Sequence, residues 1–191
     1  MQIRLATIVL VLAPHFATAQ AASVEEPPPS GLVDEFTRSL GIHRAIGDLK
    51  TMSLADSALE FRFWSIGWGM SGLRLQRTAS GEWLAQRIVV NGPNSARIDS
   101  LPLAIAGDAQ RMDSMWDELV REGVLSLPTH VPRTWMMMDG HSYIYELRRG
   151  QSYRAVRIEH VDKPEVPADD AIKRIARILQ AQFPFLGVPS R

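Results

Sequence analysis

The sequence predicts an α+β fold in which an antiparallel sheet, built from a three-stranded meander and a β-hairpin, packs with about three helices. Segments in which apolar and polar residues alternate, as they do in half-buried strands, come first as a group of three and later as a pair. Segments with helical periodicity precede, separate and follow them. The 191 residues, 46% hydrophobic and 22% charged, are sufficient for a single domain around one core.

Residues 1–21 have the pattern of a secretory signal peptide. Arg4 supplies a positive charge, the apolar run LATIVLVLA follows, and small residues allow cleavage after Ala19 or Ala21. The run is shorter than the roughly 20 apolar residues that cross a bilayer. Because the chain has no Cys, it can carry neither a lipoprotein anchor nor a disulfide. We therefore expect a periplasmic or secreted protein with no stable membrane anchor after cleavage.

The rest of the chain divides by composition into three parts. Residues 22–31 include three consecutive prolines and are expected to form a tether, residues 32–186 a single domain, and residues 187–191 a tail. The chain has 21 Lys and Arg residues against 21 Asp and Glu residues. Such a balance gives no electrostatic basis for binding nucleic acid, so the partner expected is an envelope protein or a small ligand.

Three helices are predicted from apolar residues at helical spacing. The first follows the tether, with Ser30 as its N-cap and Gly41 as its stop; the second covers residues 108–124 and ends near Gly123; the third covers residues 169–183. The residues expected to face the core are Leu32, Val33, Phe36 and Leu40 in the first helix, Met112, Met115, Trp116, Leu119 and Val120 in the second, and Ile172, Ile175, Ala176, Ile178, Leu179 and Phe183 in the third.

The meander is predicted between the first two helices. In ALEFRFWSI the period is two, so that Glu60, Arg62 and Trp64 are expected on the outward face of a half-buried strand. The Gly-rich segment 67–72 is a break, and two further strands flank a short loop at residues 79–81 in which a glycine can take positive φ. The turn sequence NGPN closes this unit.

The stretch DGHSYIYELRRGQSYRAVRIEH predicts a β-hairpin. To place the apolar residues of both arms on one face, an odd-numbered residue must oppose an even-numbered one. A two-residue type II′ turn at Gly150-Gln151 meets this condition and pairs Arg149 with Ser152. The same register sets Tyr143 against Ile158 and His141 against His160. Four charged residues are expected in surface ion pairs across the strands: Glu146, Arg148, Arg154 and Arg157.

The paired histidines leave two hypotheses open. Together with Asp139, and with His130 as an extra ligand, His141 and His160 could hold a metal ion or serve a small envelope hydrolase. The alternative is that both rings only cap the open end of the hairpin. The sequence has none of the GxSxG, GxxxxGK[ST], GxGxxG and HExxH motifs. A non-catalytic binding or accessory module is therefore the first hypothesis, the enzyme is the second, and no cofactor is predicted.

Aromatic residues suggest where such a module would bind. Trp64 and Trp68, close to glycines, could form an exposed ledge, although at least one of the two is expected in the core. Trp135 and the methionines after it could line an adaptable face or pack in the core. With His141 and His160, these three tryptophans make up the hypothetical binding surface.

Three motifs resemble a group of exported bacterial proteins of unknown function: ExRxW, WxxLxxxGVLxLP and DGxxYxxELxxGxxYR. They are formed by Glu60, Arg62 and Trp64; by Trp116, Leu119, Gly123 to Leu125, Leu127 and Pro128; and by Asp139, Gly140, Tyr143, Glu146, Leu147, Gly150, Tyr153 and Arg154. The likeness extends from about Glu60 to Arg157. It implies a bacterial envelope or secreted domain without an established activity, so it assigns no catalytic residue.

Overall fold

The computed structural model describes residues 29–66, 70–90, 96–100, 109–129, 141–159 and 166–186. Within these residues the strands are β1 (Leu59–Ile66), β2 (Met70–Arg77), β3 (Trp83–Val89), β4 (Arg97–Ser100), β5 (Ser142–Arg149) and β6 (Ser152–Ile158). They form one sheet in the order β4-β3-β2-β1-β5-β6, and every neighbouring pair is antiparallel. The α+β class, the meander β1-β2-β3 and the hairpin β5-β6 are confirmed, whereas β4 was not predicted.

The same residues contain four α-helices: α1 (Pro29–Ser39), α2 (Ile42–Ile46), α3 (Ala109–Arg121) and α4 (Pro167–Gln182), and a short 3₁₀ turn at Pro184–Leu186 follows the last. Helix α1 begins before Ser30, which therefore lies in its first turn and not at the N-cap. Gly41, with φ of 75°, separates α1 from the unpredicted α2. Among the described helices none combines the length and the apolarity that a membrane span requires.

The larger core lies on the sheet face that carries the odd-numbered residues of β1 and β5. Helices α3 and α4 and the 3₁₀ turn cover this face. The predicted stripes of both helices are buried there, except that Ile178 is partly buried, Trp116 packs at the margin and Val120 is exposed. The aromatic rings of Phe61, Phe63, Tyr143 and Tyr145 stack and tilt against one another at the centre, with centroids 5.5–6.2 Å apart.

The opposite face is also covered, which corrects the prediction of a half-buried β1. Glu60, Arg62 and Trp64 are all 0% exposed. Trp64 packs edge-on against Phe36 of α1, with ring centroids 5.8 Å apart, and Arg62 donates hydrogen bonds to the carbonyl groups at the end of α2. The prediction failed because α1 and α2 fold back over the central strands and bury their second face.

The hairpin has the predicted register. Tyr143 pairs with Ile158 and Arg149 with Ser152, and the apolar residues of both arms enter the larger core. Gly150 has φ of 54°, as the predicted turn requires. The predicted pairing of His141 with His160 lies outside the described residues.

Substitution of Gly150 tests this turn. We expect Gly150→Val to lower the free energy of unfolding by more than about 1 kcal/mol, because a β-branched residue resists positive φ. The added Cβ would also lie 3.2 Å from the Cα of Asp56. Gln151→Ala, at an exposed neighbouring position, is the matched control and should cost little. Urea denaturation measures both; equal midpoints for the two variants would mean that the turn does not constrain Gly150.

Candidate functional site

A network of polar side chains lies beneath α1 and α2, on the second face of the sheet. It consists of Glu60 and Arg62 on β1, Arg74 and Gln76 on β2, Glu146 on β5 and Tyr153 on β6. We call these six residues the polar network. The strand register creates it, because Arg62 lies between Arg74 and Glu146 while Glu60 lies beside Gln76.

Glu60 is the acceptor at the centre of the polar network. Its Oε1 accepts hydrogen bonds from Nε of Arg62 at 2.7 Å and Nε of Arg74 at 2.8 Å. Its Oε2 accepts from Nη2 of Arg74 at 3.0 Å and from Nε2 of Gln76 at 2.9 Å. Burial alone would raise the pKa of Glu60, but the hydrogen bond from Arg74 and the charges of both arginines outweigh it and hold that pKa below its ordinary value. The carboxylate is therefore stably ionised although it is fully buried.

Arg62 connects the sheet to the end of α2. Its Nη1 donates to the carbonyl oxygen of Gly47 at 2.8 Å, and its Nη2 donates to that of Ile46 at 3.0 Å. These carbonyl groups at the helix end have no partner within the helix and carry partial negative charge, so a guanidinium is a favourable neighbour. Arg62 thereby fixes α2 onto the sheet.

Glu146 is less well satisfied than Glu60. Its Oε1 accepts a hydrogen bond from the hydroxyl of Tyr153 at 2.8 Å, whereas its Oε2 has no hydrogen-bond partner among the described residues. Nη1 of Arg62 lies 3.8 Å from this Oε2, but the guanidinium is already neutralised by Glu60. Burial therefore prevails and raises the pKa of Glu146 to about 7. Burial, followed by the charge of Glu146 and the hydrogen bond to it, also raises the pKa of Tyr153 well above its ordinary value.

The polar network is enclosed, which decides what it can do. Glu60, Arg62 and Glu146 are fully buried, so none of them is available to bind a ligand from solution. Glu146 and Arg148 were predicted in surface ion pairs, and that prediction is wrong because both are buried. Arg148 donates hydrogen bonds to backbone carbonyl groups of the segment that follows α2. The network attaches α2 to the sheet through Arg62, whereas α1 packs on the same face through apolar residues.

His141 immediately precedes β5 and lies on the opposite face of the sheet. Its Nε2 is 3.0 Å from Oγ of Ser65, and its ring packs against Tyr143 with centroids 5.4 Å apart. Ser65 is 2% exposed and His141 is 9% exposed. Hydroxyl and imidazole at this distance have the geometry of a nucleophile and its base, but the burial of Ser65 restricts the approach of a substrate.

The other predicted site residues divide into two groups. Trp64 is buried in the smaller core and cannot form an exposed ledge, so its assignment to a binding surface is wrong, although at least one of the two tryptophans was expected in the core. The remaining candidates lie outside the described residues: Trp68, His130, Trp135, Asp139 and His160. Within the part of the chain that the structure describes, no group of three His, Asp or Glu side chains could hold a metal ion.

An open cavity of about 520 Å³ lies at the turn end of the hairpin, and we call it the hairpin cleft. It is lined by residues 152–155 of β6, by Leu147 and Arg149 of β5, and by Leu125 and Thr129 from the segment after α3. Leu125 is 39% exposed. The hairpin cleft thus combines an edge strand, an apolar side and two arginines.

Arg149 and Arg154 are the charged residues of the hairpin cleft. Neither forms an ion pair with a described residue, and no acidic residue is among the described residues that line the cavity. Nε of Arg154 is buried without a hydrogen-bond partner in the same part of the chain. Arg154 also lies beside the hydroxyl of Tyr145, whose pKa burial raises to about 12 although the arginine opposes this shift. Two arginines that have no acidic partner among the described residues give the hairpin cleft positive charge, which suits an anionic group.

Comparison with known proteins adds no family to this geometry, because the chain matches no protein-family model and no curated protein.

Two features of the site had not been predicted from the sequence. Ser65 was missed because its contact with His141 depends on the pairing of β1 with β5, which local patterns do not indicate. Arg149 and Arg154 were predictable in part, since the correct hairpin register already places both on one face near the turn.

Proposed function

We propose that the protein is an exported, non-catalytic binding or accessory module of the bacterial envelope. The signal-peptide pattern of residues 1–21 supports export, and the resemblance to exported bacterial proteins of unknown function supports the envelope. The observation that carries the binding role is the hairpin cleft, whose two arginines form no ion pair with an acidic residue that the structure describes. Its volume of about 520 Å³ is within the range of roughly 300–1,000 Å³ that is usual for ligand sites.

The hairpin cleft is proposed in addition to the binding surface expected from the sequence, of which Trp64 is buried and Trp68, Trp135 and His160 lie outside the described residues. Helices cover both faces of the central strands. The cleft instead lies where a loop approaches the edge of a rigid sheet. Loops held by a rigid scaffold are frequent sites of recognition, because they can vary without loss of the core.

The binding role can be tested with material from the cell envelope. We expect an envelope extract to change the ¹H–¹⁵N NMR signals of residues that line the hairpin cleft. Leu125→Asp should abolish these changes, because the new carboxylate would neutralise the arginines and make one side of the cleft polar. Leu84→Asp is the matched control, since Leu84 is an exposed leucine on β3, away from the cleft. Signals that do not change with any extract fraction would contradict the proposal, and cell fractionation with N-terminal sequencing would test export separately.

A second function, a small envelope hydrolase, is favoured by one observation. Oγ of Ser65 lies 3.0 Å from Nε2 of His141, within the range of a nucleophile and its general base. The metal-dependent form of this hypothesis would use Asp139, His130 and His160 in addition to His141. A fluorophosphonate probe that labels the protein but not Ser65→Ala would support the hydrolase. If the probe does not label the protein, and thermal unfolding shows that the protein is folded, then Ser65 and His141 form a structural contact only.

A further inference from the structure

Strand β6 is the outermost strand of the sheet on the side of the hairpin cleft. The backbone N–H of Arg157 points away from the sheet and donates to the carbonyl oxygen of Thr129 at 3.2 Å. In an antiparallel pair, alternate residues of an edge strand direct their backbone groups outward. Tyr153 and Ala155 share the parity of Arg157, so their N–H and C=O groups face the hairpin cleft. No described residue outside the sheet forms a backbone hydrogen bond with them.

The charges at the hairpin cleft lie on one side of this edge. Leu147 pairs with Arg154 and Arg149 with Ser152, so both guanidinium groups project from the same face of the hairpin. A strand placed beside β6 would present every second side chain to that face. Acidic residues at those positions would meet Arg149 and Arg154, and apolar parts of the peptide would contact Leu125 and Leu147.

We infer that the hairpin cleft binds an extended acidic peptide that pairs with the edge of β6 and adds a strand to the sheet. This inference rests on the proposed binding function and specifies the partner. Main-chain hydrogen bonds from Tyr153 and Ala155 hold the peptide, and the two arginines select acidic side chains. A small anion would use only the arginines, whereas a peptide would also pair with the outward backbone groups of Tyr153 and Ala155, which have no backbone partner among the described residues outside the sheet.

The inference can be tested with a defined probe, an acetylated and amidated pentapeptide of alternating threonine and glutamate. Titration calorimetry with the full chain should show binding, and the analogue with glutamine in place of glutamate should bind at least about tenfold more weakly. A second analogue carries N-methyl groups on the residues whose N–H groups would face β6. This analogue keeps the charges but lacks the N–H donors, so it should not bind.

Variants of the protein provide the matching controls. Arg149→Gln and Arg154→Gln should each weaken binding of the glutamate peptide by about tenfold. Arg149 is exposed, so its substitution is not expected to disturb folding. Arg44→Gln, at an exposed arginine on α2 over the opposite face, should leave the affinity unchanged. Hydrogen exchange should slow at the amides of Tyr153 and Ala155 when the peptide binds, but not at that of Arg154, whose backbone faces β5.

Each result either supports or contradicts the inference that the hairpin cleft binds an acidic peptide. Octanoate, a carboxylate without a peptide backbone, serves as a small-anion probe. The inference would be overturned if octanoate bound as tightly as the glutamate peptide. It would also be overturned if the N-methylated and unmodified peptides bound with equal affinity, because either result would show a small-anion site. No binding of the glutamate peptide, or unchanged exchange at Tyr153 and Ala155, would also overturn it. If an envelope extract still changes the NMR signals of the cleft in that case, the proposed binding function is retained and only the inference of an acidic peptide is wrong. If the extract gives no change either, both the binding function and the peptide inference are wrong.

Discussion

Glu60→Ala should lower the free energy of unfolding by about 3–5 kcal/mol, the range usual when a buried ion pair loses one partner. The substitution removes the acceptor of four hydrogen bonds from Arg62, Arg74 and Gln76. Arg62 accounts for most of the lost stability, because its side chain is fully buried and water cannot replace the carboxylate. Urea denaturation at neutral pH measures the loss.

A surface variant separates the loss of the buried ion pair from a general effect of substitution. Glu122→Ala removes a carboxylate that pairs with Arg174 at the surface, and it should cost at most about 1 kcal/mol. The explanation is wrong if Glu60→Ala costs no more than Glu122→Ala.

The hairpin and the buried face of β1 differ in how far the sequence could predict them. The hairpin register follows from local information, namely the parity of its apolar residues and a glycine at the turn. The alternation in β1 indicates a strand but not what covers its second face. Charged residues such as Glu60 and Arg62 are usually exposed, and here the polar network satisfies them beneath two helices. That arrangement depends on tertiary contacts which no local pattern contains.

Strand β4 and the Ser65–His141 contact were missed for related reasons. β4 has only four residues, RIDS, which are too few to show the two-residue alternation of a strand. The turn sequence NGPN that precedes them indicates a loop instead. Ser65 and His141 are 76 positions apart, and they meet only because β5 pairs with β1. The order of strands in a sheet is decided by packing of whole segments, so contacts that depend on this order stay hidden in the sequence.

Glu146 should make the stability of the domain depend on pH. Burial raises the pKa of Glu146 to about 7 from the ordinary 4.5, so the folded protein keeps this proton at pH values at which the unfolded chain has released it. The resulting stabilisation is fully present below pH 4.5 and is lost as the pH rises through about 7. Between pH 5 and pH 8 the free energy of unfolding should therefore fall, relative to that of Glu146→Gln, by up to about 3 kcal/mol.

Glu146→Gln is a suitable reference because glutamine is neutral at every pH and can still accept the hydrogen bond from Tyr153. Urea denaturation of both proteins at unit intervals from pH 5 to pH 8 gives the difference, and NMR titration of the Glu146 carboxyl carbon gives its pKa directly. Tyr153→Phe should move the loss of stability to higher pH, since the hydrogen bond from Tyr153 lowers the pKa of Glu146. Stability curves that run parallel across this range would mean that Glu146 is ionised throughout, and that Arg62, 3.8 Å away, outweighs the burial of the carboxylate.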